Sequence, residues 1–179
     1  NAPFESSIVP NIQLHLLLMK PIMQLFTWQR TILLSIIVLV VLDILSFYGL
    51  YTNRFYFLKF DNFIFPILTI AHFVYLYVLW FKIKEGETAD VQMRNVEYLL
   101  YTILLVYLYK LVHSFMTLMS YTNYEDHVMP STFLPMGTLI LILHVFLMGL
   151  TFLAFKHRKE LVGGYSYEEM EKQHIDQWE

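Results

Sequence analysis

Asp43, His72, Lys110, His113 and His144 each fall inside a long run of apolar residues. A charged or imidazole side chain in hydrocarbon costs from ~2.5 to over 10 kcal/mol, so such residues are paired, neutralised or functional. Three chemistries suit these types. Asp43 and Lys110 have opposite charges and could clamp two helices as an ion pair. With the histidines they could also form a proton or ion relay. Finally, His72 and His144 could be the axial ligands of a b-type haem in a helical bundle, with Gly137 and Gly149 relieving crowding around the macrocycle. An axial pair needs its ring nitrogens about 4 Å apart, because each iron–nitrogen bond is roughly 2 Å.

Other active-site chemistry is absent from the sequence. It contains no nucleotide-binding glycine pattern, no HExxH and no GxSxG. A di-metal carboxylate site needs several inward carboxylates, and the apolar runs supply only Asp43. Ser114 adjoins His113, but neighbours on a helix point about 100° apart, so they do not make a dyad. The segment 121–135, with Asn123, Glu125, Asp126 and His127, offers cation ligands but reads as a solvated turn. We therefore expect no catalytic residue and no metal site, and a protein that is not an enzyme.

The elements that carry these residues are four apolar runs, 31–50, 63–81, 96–119 and 133–155. Each is close to the ~20 residues a helix needs to cross about 30 Å of hydrocarbon. Hydrophobic residues make up 57% of the 179 and charged residues only 15%, against about 25% charged in soluble domains. Mean hydropathy is +0.51. The expected fold is an all-α integral membrane protein with three parts: an N-terminal interfacial segment (1–30), a four-helix transmembrane domain (31–155) and a cytoplasmic tail (156–179). A net charge of −3 argues against nucleic acid as a partner, and the absence of cysteine excludes disulfides and thiolate metal sites.

Lys and Arg set the orientation. Lys20, Arg30, Lys82, Lys84, Arg94, Lys156, Arg158, Lys159 and Lys172 fall on one side, and only Arg54 and Lys59 on the other. By the positive-inside rule both termini face the cytoplasm, or the matrix or stroma, as in a bacterial or organelle inner membrane. Asn11 is placed to cap an amphipathic helix from Ile12, kinked at Pro21 and lying on the membrane surface. Gly163 and Gly164 break the fourth helix, and the capping-box spacing of Ser166 and Glu169 predicts a short acidic helix over 167–177.

This topology fixes the depth of each residue. Asp43 and Lys110 lie at nearly the same level on parallel spans, so a contact between them, direct or through one water, is expected. His72 and His144 share the midplane. Polar neighbours recur at helical spacing: Ser35 and Ser46 with Asp43; Thr69 and Tyr75 with His72; Ser114 and Thr117 with Lys110 and His113; Gly137, Met148 and Thr151 with His144. Four such stripes are expected to face inward as interhelical clamps. The expected function is that of a non-catalytic scaffolding subunit of a larger membrane complex, whether energy-transducing, transport or secretion. Its partners would be the bilayer, bound lipids and other integral subunits. A relay through Asp43, Lys110 and the histidines is the alternative, as is electron transfer by haem b between His72 and His144. Tight packing of aromatic-rich spans favours a closed bundle without haem.

Overall fold

The computed structural model describes residues 25–121 and 129–165. Four α-helices dominate: α1 (Trp28–Ser46), α2 (Ile64–Glu85), α3 (Val91–Met119) and α4 (Phe133–Leu161). All four are long and apolar enough to cross a membrane. The expected surface helix lies outside the described residues through position 24, and so does the expected tail helix over 167–177. Residues 28–30, assigned by sequence to the interfacial segment, begin α1 instead.

Chain punctuation explains the boundaries. α1 stops at Ser46, four residues before the end of its apolar run, because the chain turns into a two-stranded hairpin. Its strands β1 (Tyr48–Gly49) and β2 (Arg54–Phe55) pair antiparallel, Tyr48 opposite Phe55 and Gly49 opposite Arg54. Asn53 adopts the left-handed conformation at φ 51°, and its amide bonds the Gly49 carbonyl at 2.9 Å. Asparagine tolerates that region better than most residues. The Ser46 hydroxyl reaches the Asp43 carbonyl at 2.7 Å and the Asn62 carbonyl at 3.1 Å, which ties the end of α1 to the 3-10 turn Phe60–Phe63 leading into α2. Pro66 and Pro135 lie in the first turns of α2 and α4, where a missing N–H costs nothing.

At the opposite end Gly86 closes α2 at φ 68°, which glycine adopts without strain. Asp90 then caps α3, accepting the Met93 amide at 2.7 Å. This cap starts α3 five residues before its apolar run. α4 runs six residues beyond its own, to Leu161, because His157 and Arg158 are buried with partners.

The helices form an up-down-up-down ring. α1 packs on α2, α2 on α3, α3 on α4, and α4 closes on α1. Of the two diagonals, α2–α4 is in contact, whereas α1–α3 barely is. The interior is filled by Leu39, Leu42, Leu76, Leu79, Leu100, Ile103, Leu147 and Leu150 together with Tyr75 and Tyr107. α1 and α4 form the most extensive contact and bury the small residues Thr31, Ser35, Thr151 and Ala154. Ser35 and Thr151 donate to carbonyls of their own helices at 2.8 Å, so close approach leaves no hydroxyl stranded. The outer faces expose Leu33, Ile70, Leu105 and Phe152, the pattern of a bundle meant for an apolar solvent.

Two glycines test this packing. A Cβ at Gly149 would meet nothing within 4 Å, while one at Gly49 would lie 2.7 Å from the Tyr56 ring and 2.8 Å from the Thr52 hydroxyl. Gly149→Ala should stabilise the protein by about 0.5–1 kcal/mol through helix propensity. Gly49→Ala should destabilise it by roughly 1–3 kcal/mol through overpacking. Denaturant unfolding of detergent-solubilised protein measures both.

Candidate functional site

α2 supplies the axis of the polar interior. Thr69, His72 and Tyr75 recur every three residues on its buried face, and each step advances about 4.5 Å along the helix. At the hairpin side, Thr69 Oγ1 donates to Asp43 Oδ1 of α1 at 2.9 Å. The Tyr107 hydroxyl of α3 interacts with Thr69 and lies 3.3 Å from His72 Nδ1, its ring stacked on the imidazole. Asp43, Thr69, Tyr107 and His72 thus form one chain of polar contacts across three helices. His72 is fully buried, and no protein group among the described residues partners its Nε2. The buried Tyr75 hydroxyl also lacks a protein partner.

The other residues singled out by sequence are dispersed. Among the described residues no ion pair within 4 Å joins Asp43 to Lys110. α1 and α3 stand on a diagonal of the ring and are not among its packed pairs. Lys110 is half-buried and lies near enough to His144 for its charge to act on that imidazole. His144 Nδ1 donates to the Ile140 carbonyl of its own helix at 2.8 Å, so it clamps no neighbour. The expectation that every polar stripe faces inward fails for α3. His113 is exposed, and Ser114 and Thr117 are only half-buried, because the buried face of α3 is built from Met93, Glu97, Leu100, Ile103, Leu104 and Tyr107. His113, Ser114 and Thr117 instead line a cleft of about 420 Å³ beneath the hairpin, with Tyr48, Tyr56 and Asn62.

The packing around His72 and His144 does not fit a bis-histidine haem. His72 stacks on Tyr107, Tyr107 lies 5.3 Å from Phe65, and Phe65 meets the edge of His144 at 5.7 Å. These two rings occupy the region between the imidazoles that a macrocycle would need. Gly137, expected to relieve such crowding, faces Leu118 and Leu50. Among the described residues no group of three or more His, Cys, Asp or Glu is placed to hold a metal ion.

The strongest polar cluster was not singled out from the sequence. Glu97 on α3 is 1% exposed and receives three donors: Arg158 Nη2 of α4, Tyr101 Oη and Tyr165 Oη, each at 2.7 Å. The Arg158 guanidinium lies 4.5 Å from the Tyr165 ring centroid, and its Nη1 donates to the Gly163 carbonyl. Burial, and then the bond it donates to Glu97, push the Tyr165 phenol above its ordinary value. One signal was present: Glu97 opens the third span and Arg158 ends the antiparallel fourth, so the two share a level. Arg158 had been counted only as an orienting charge, and so had Lys82. Lys82 Nζ bridges Glu87 at 2.7 Å and Asp90 at 2.8 Å across the α2–α3 turn.

A double-mutant cycle separates these clusters. Arg158→Met alone strands the buried Glu97 and should cost about 3–5 kcal/mol, whereas adding Glu97→Gln should recover most of that loss. The same cycle on Asp43→Asn and Lys110→Met should be additive within about 0.5 kcal/mol. Both are read from unfolding midpoints in detergent.

The α2–α3 turn predicts a pH dependence. Partial burial pushes the Asp90 carboxyl up, but the Lys82 ammonium and the Met93 amide outweigh burial and hold it below its ordinary value. The folded state therefore favours the ionised form. The stability this contributes is present above the unfolded carboxylate value of ~3.9 and is lost as pH falls through the lower folded one. Asp90→Asn keeps a capping side chain but removes the charge, so at neutral pH it should cost about 1 kcal/mol. That difference from the parent should shrink towards zero below about pH 3 in unfolding measurements.

Comparison with protein-family models, with curated proteins and with solved structures found no match, so what the chain does is carried by this geometry alone.

Proposed function

We propose that the chain is a multi-pass membrane protein without catalytic chemistry, acting as a subunit that offers lateral surfaces to other integral membrane proteins. The observation that carries this reading is the contrast between its interior and its flank. Inside, Glu97, Lys82 and Asp43 are held by partners on neighbouring elements or across a turn, which suits clamping more than turnover. Outside, α1 and α2 enclose an apolar groove of about 700 Å³, lined by Ile32, Ile36, Phe73 and Leu76, with Trp28 and Trp80 also on its walls. Tryptophan favours the membrane–water boundary, and the groove opens sideways where a neighbouring helix or lipid chain would lie. At the other end Leu58 is 99% and Phe60 90% exposed beside the hairpin, which supports contact with headgroups or a partner. The charge asymmetry supports cytoplasmic termini.

Two measurements test the reading. Reporters fused after Lys84 and after Lys159 should both read cytoplasmic, and one inserted within 122–128 should read exterior; a cytoplasmic signal there ends the four-span topology. A photo-reactive side chain at Leu33 or Tyr77, in the groove, should form one adduct of constant mass with a second integral membrane protein. The same probe at Phe152 on the opposite flank should capture lipid. Lipid adducts alone from the groove would refute the subunit role.

A further inference from the structure

The polar residues of α2 do more than hold helices together in their arrangement, because they stand in a file. Asp43 lies one turn from the hairpin end of α1, Thr69 and His72 follow on α2 with Tyr107 between them, and Tyr75 comes one turn further on. Beyond Tyr75 lies the Glu97 cluster, close enough for its charges to act on the Tyr75 hydroxyl. That cluster ends at the half-buried Tyr165, at the basic end of the bundle. Ionisable and hydroxyl groups therefore run from one end of the bundle towards the other. A file built only for clamping has no need of unpartnered members, yet buried polar atoms find partners in more than nine cases in ten. Among the described residues, two atoms of the run from Asp43 to Tyr75 have no protein partner, His72 Nε2 and Tyr75 Oη, and they are on consecutive turns of one helix. A buried water bonds two to four polar groups where the site has room for it.

We propose that the bundle conducts protons along Asp43, Thr69, Tyr107, His72 and Tyr75 to Glu97, with water completing the junctions on either side of Tyr75. When the Asp43 carboxylate takes up a proton from the hairpin side, the Thr69 hydroxyl, which donates to Asp43 Oδ1 at rest, turns to Tyr107 Oη. The Asp43 proton then passes to Thr69 Oγ1 as Thr69 releases its own to Tyr107. Tyr107 in turn protonates His72 Nδ1, and the resulting imidazolium releases the proton on Nε2 to water. One proton enters and one leaves, and no electron moves. The hydroxyls and the imidazole then rotate or exchange tautomer to reset. From Tyr75 the proton reaches the Glu97 carboxylate, whose oxygens also take donors from Arg158 and Tyr165. Tyr165, bonded to Glu97 Oε2, hands a proton to solvent. Lys110, near His144, sits off this file, and His113 faces the outer cleft. The proposal shares only the membrane topology with the subunit reading, so either can fail without the other.

The test uses the full chain in phosphatidylcholine–phosphatidylglycerol vesicles loaded with potassium and a pH-sensitive dye. Valinomycin then sets an inside-negative potential. Protein-containing vesicles should acidify at least tenfold faster than protein-free ones. Tyr107→Phe, which keeps the ring and removes the hydroxyl, should return the rate to the protein-free baseline, and Asp43→Asn should lower it at least tenfold. Ser35→Ala, buried on α1 but bonded only to its own helix, should conduct like the parent. Thermal unfolding of each variant before reconstitution confirms a folded sample. Parent protein that conducts no faster than empty vesicles, or a folded Tyr107→Phe that conducts like the parent, overturns the proposal.

Discussion

A carboxylate cannot stay ionised in an apolar interior without donors aimed at it, and around Glu97 that requirement organises the basic end of the molecule. Arg158 must come from α4, Tyr101 from one turn along α3, and Tyr165 from the chain beyond α4. Meeting all three conditions fixes the register of α4 against α3 and turns the chain back over the bundle after Gly163. The rings then fall into place: Phe155 packs tilted against Tyr101 at 4.7 Å and meets Tyr75 edge to face at 5.4 Å. Replacing a buried ion pair by apolar residues is often neutral for stability, so the value of this one lies in the single arrangement it permits.

The far end is held differently. Among the described residues around the hairpin, hydroxyls and amides do the joining. The Tyr48 hydroxyl donates to Asn53 Oδ1 at 2.6 Å and lies 3.2 Å from Thr132 Oγ1, at the cap of α4. The Asn62 amide reaches the Tyr56 carbonyl. Neutral bonds of this kind are worth about 1 kcal/mol each and are easily remade, whereas a stranded charge is not. The basic end is therefore held by a buried ion pair, and the hairpin end, where the cleft containing His113 opens, by neutral bonds.

Hydropathy and charge made the four helices, their alternation and the basic side legible in the sequence. They also set the expected depths of Asp43, Lys110, His72 and His144. Depth does not say which helices are neighbours, and the expected Asp43–Lys110 contact rested on that missing quantity. In a ring closed by α1 on α4, two spans of equal polarity stand diagonally apart, and Asp43 turns to Thr69 instead. Glu97 escaped notice because it lies at the edge of an apolar run, where charge is ordinarily solvated. The hairpin was hidden too: Phe47 to Leu50 are apolar enough to prolong a helix by count, although Gly49 and Asn53 mark a turn. The His144 bond to its own Ile140 carbonyl has no sequence signature, since any helical histidine can point back along its axis.

The short turn between α2 and α3 bears on the order in which the bundle can assemble. Lys82 is carried near the end of α2 and its two acidic partners follow within eight residues, so the charge is matched before α3 is complete. Gly86 reverses the chain and Asp90 caps the next helix without distant contacts. α2 and α3 are thus stapled at their bend by local contacts, whereas Glu97 farther along α3 depends on Arg158 of α4. In chain order the α2–α3 bend is completed before α4 brings Arg158 to Glu97 and closes the ring onto α1.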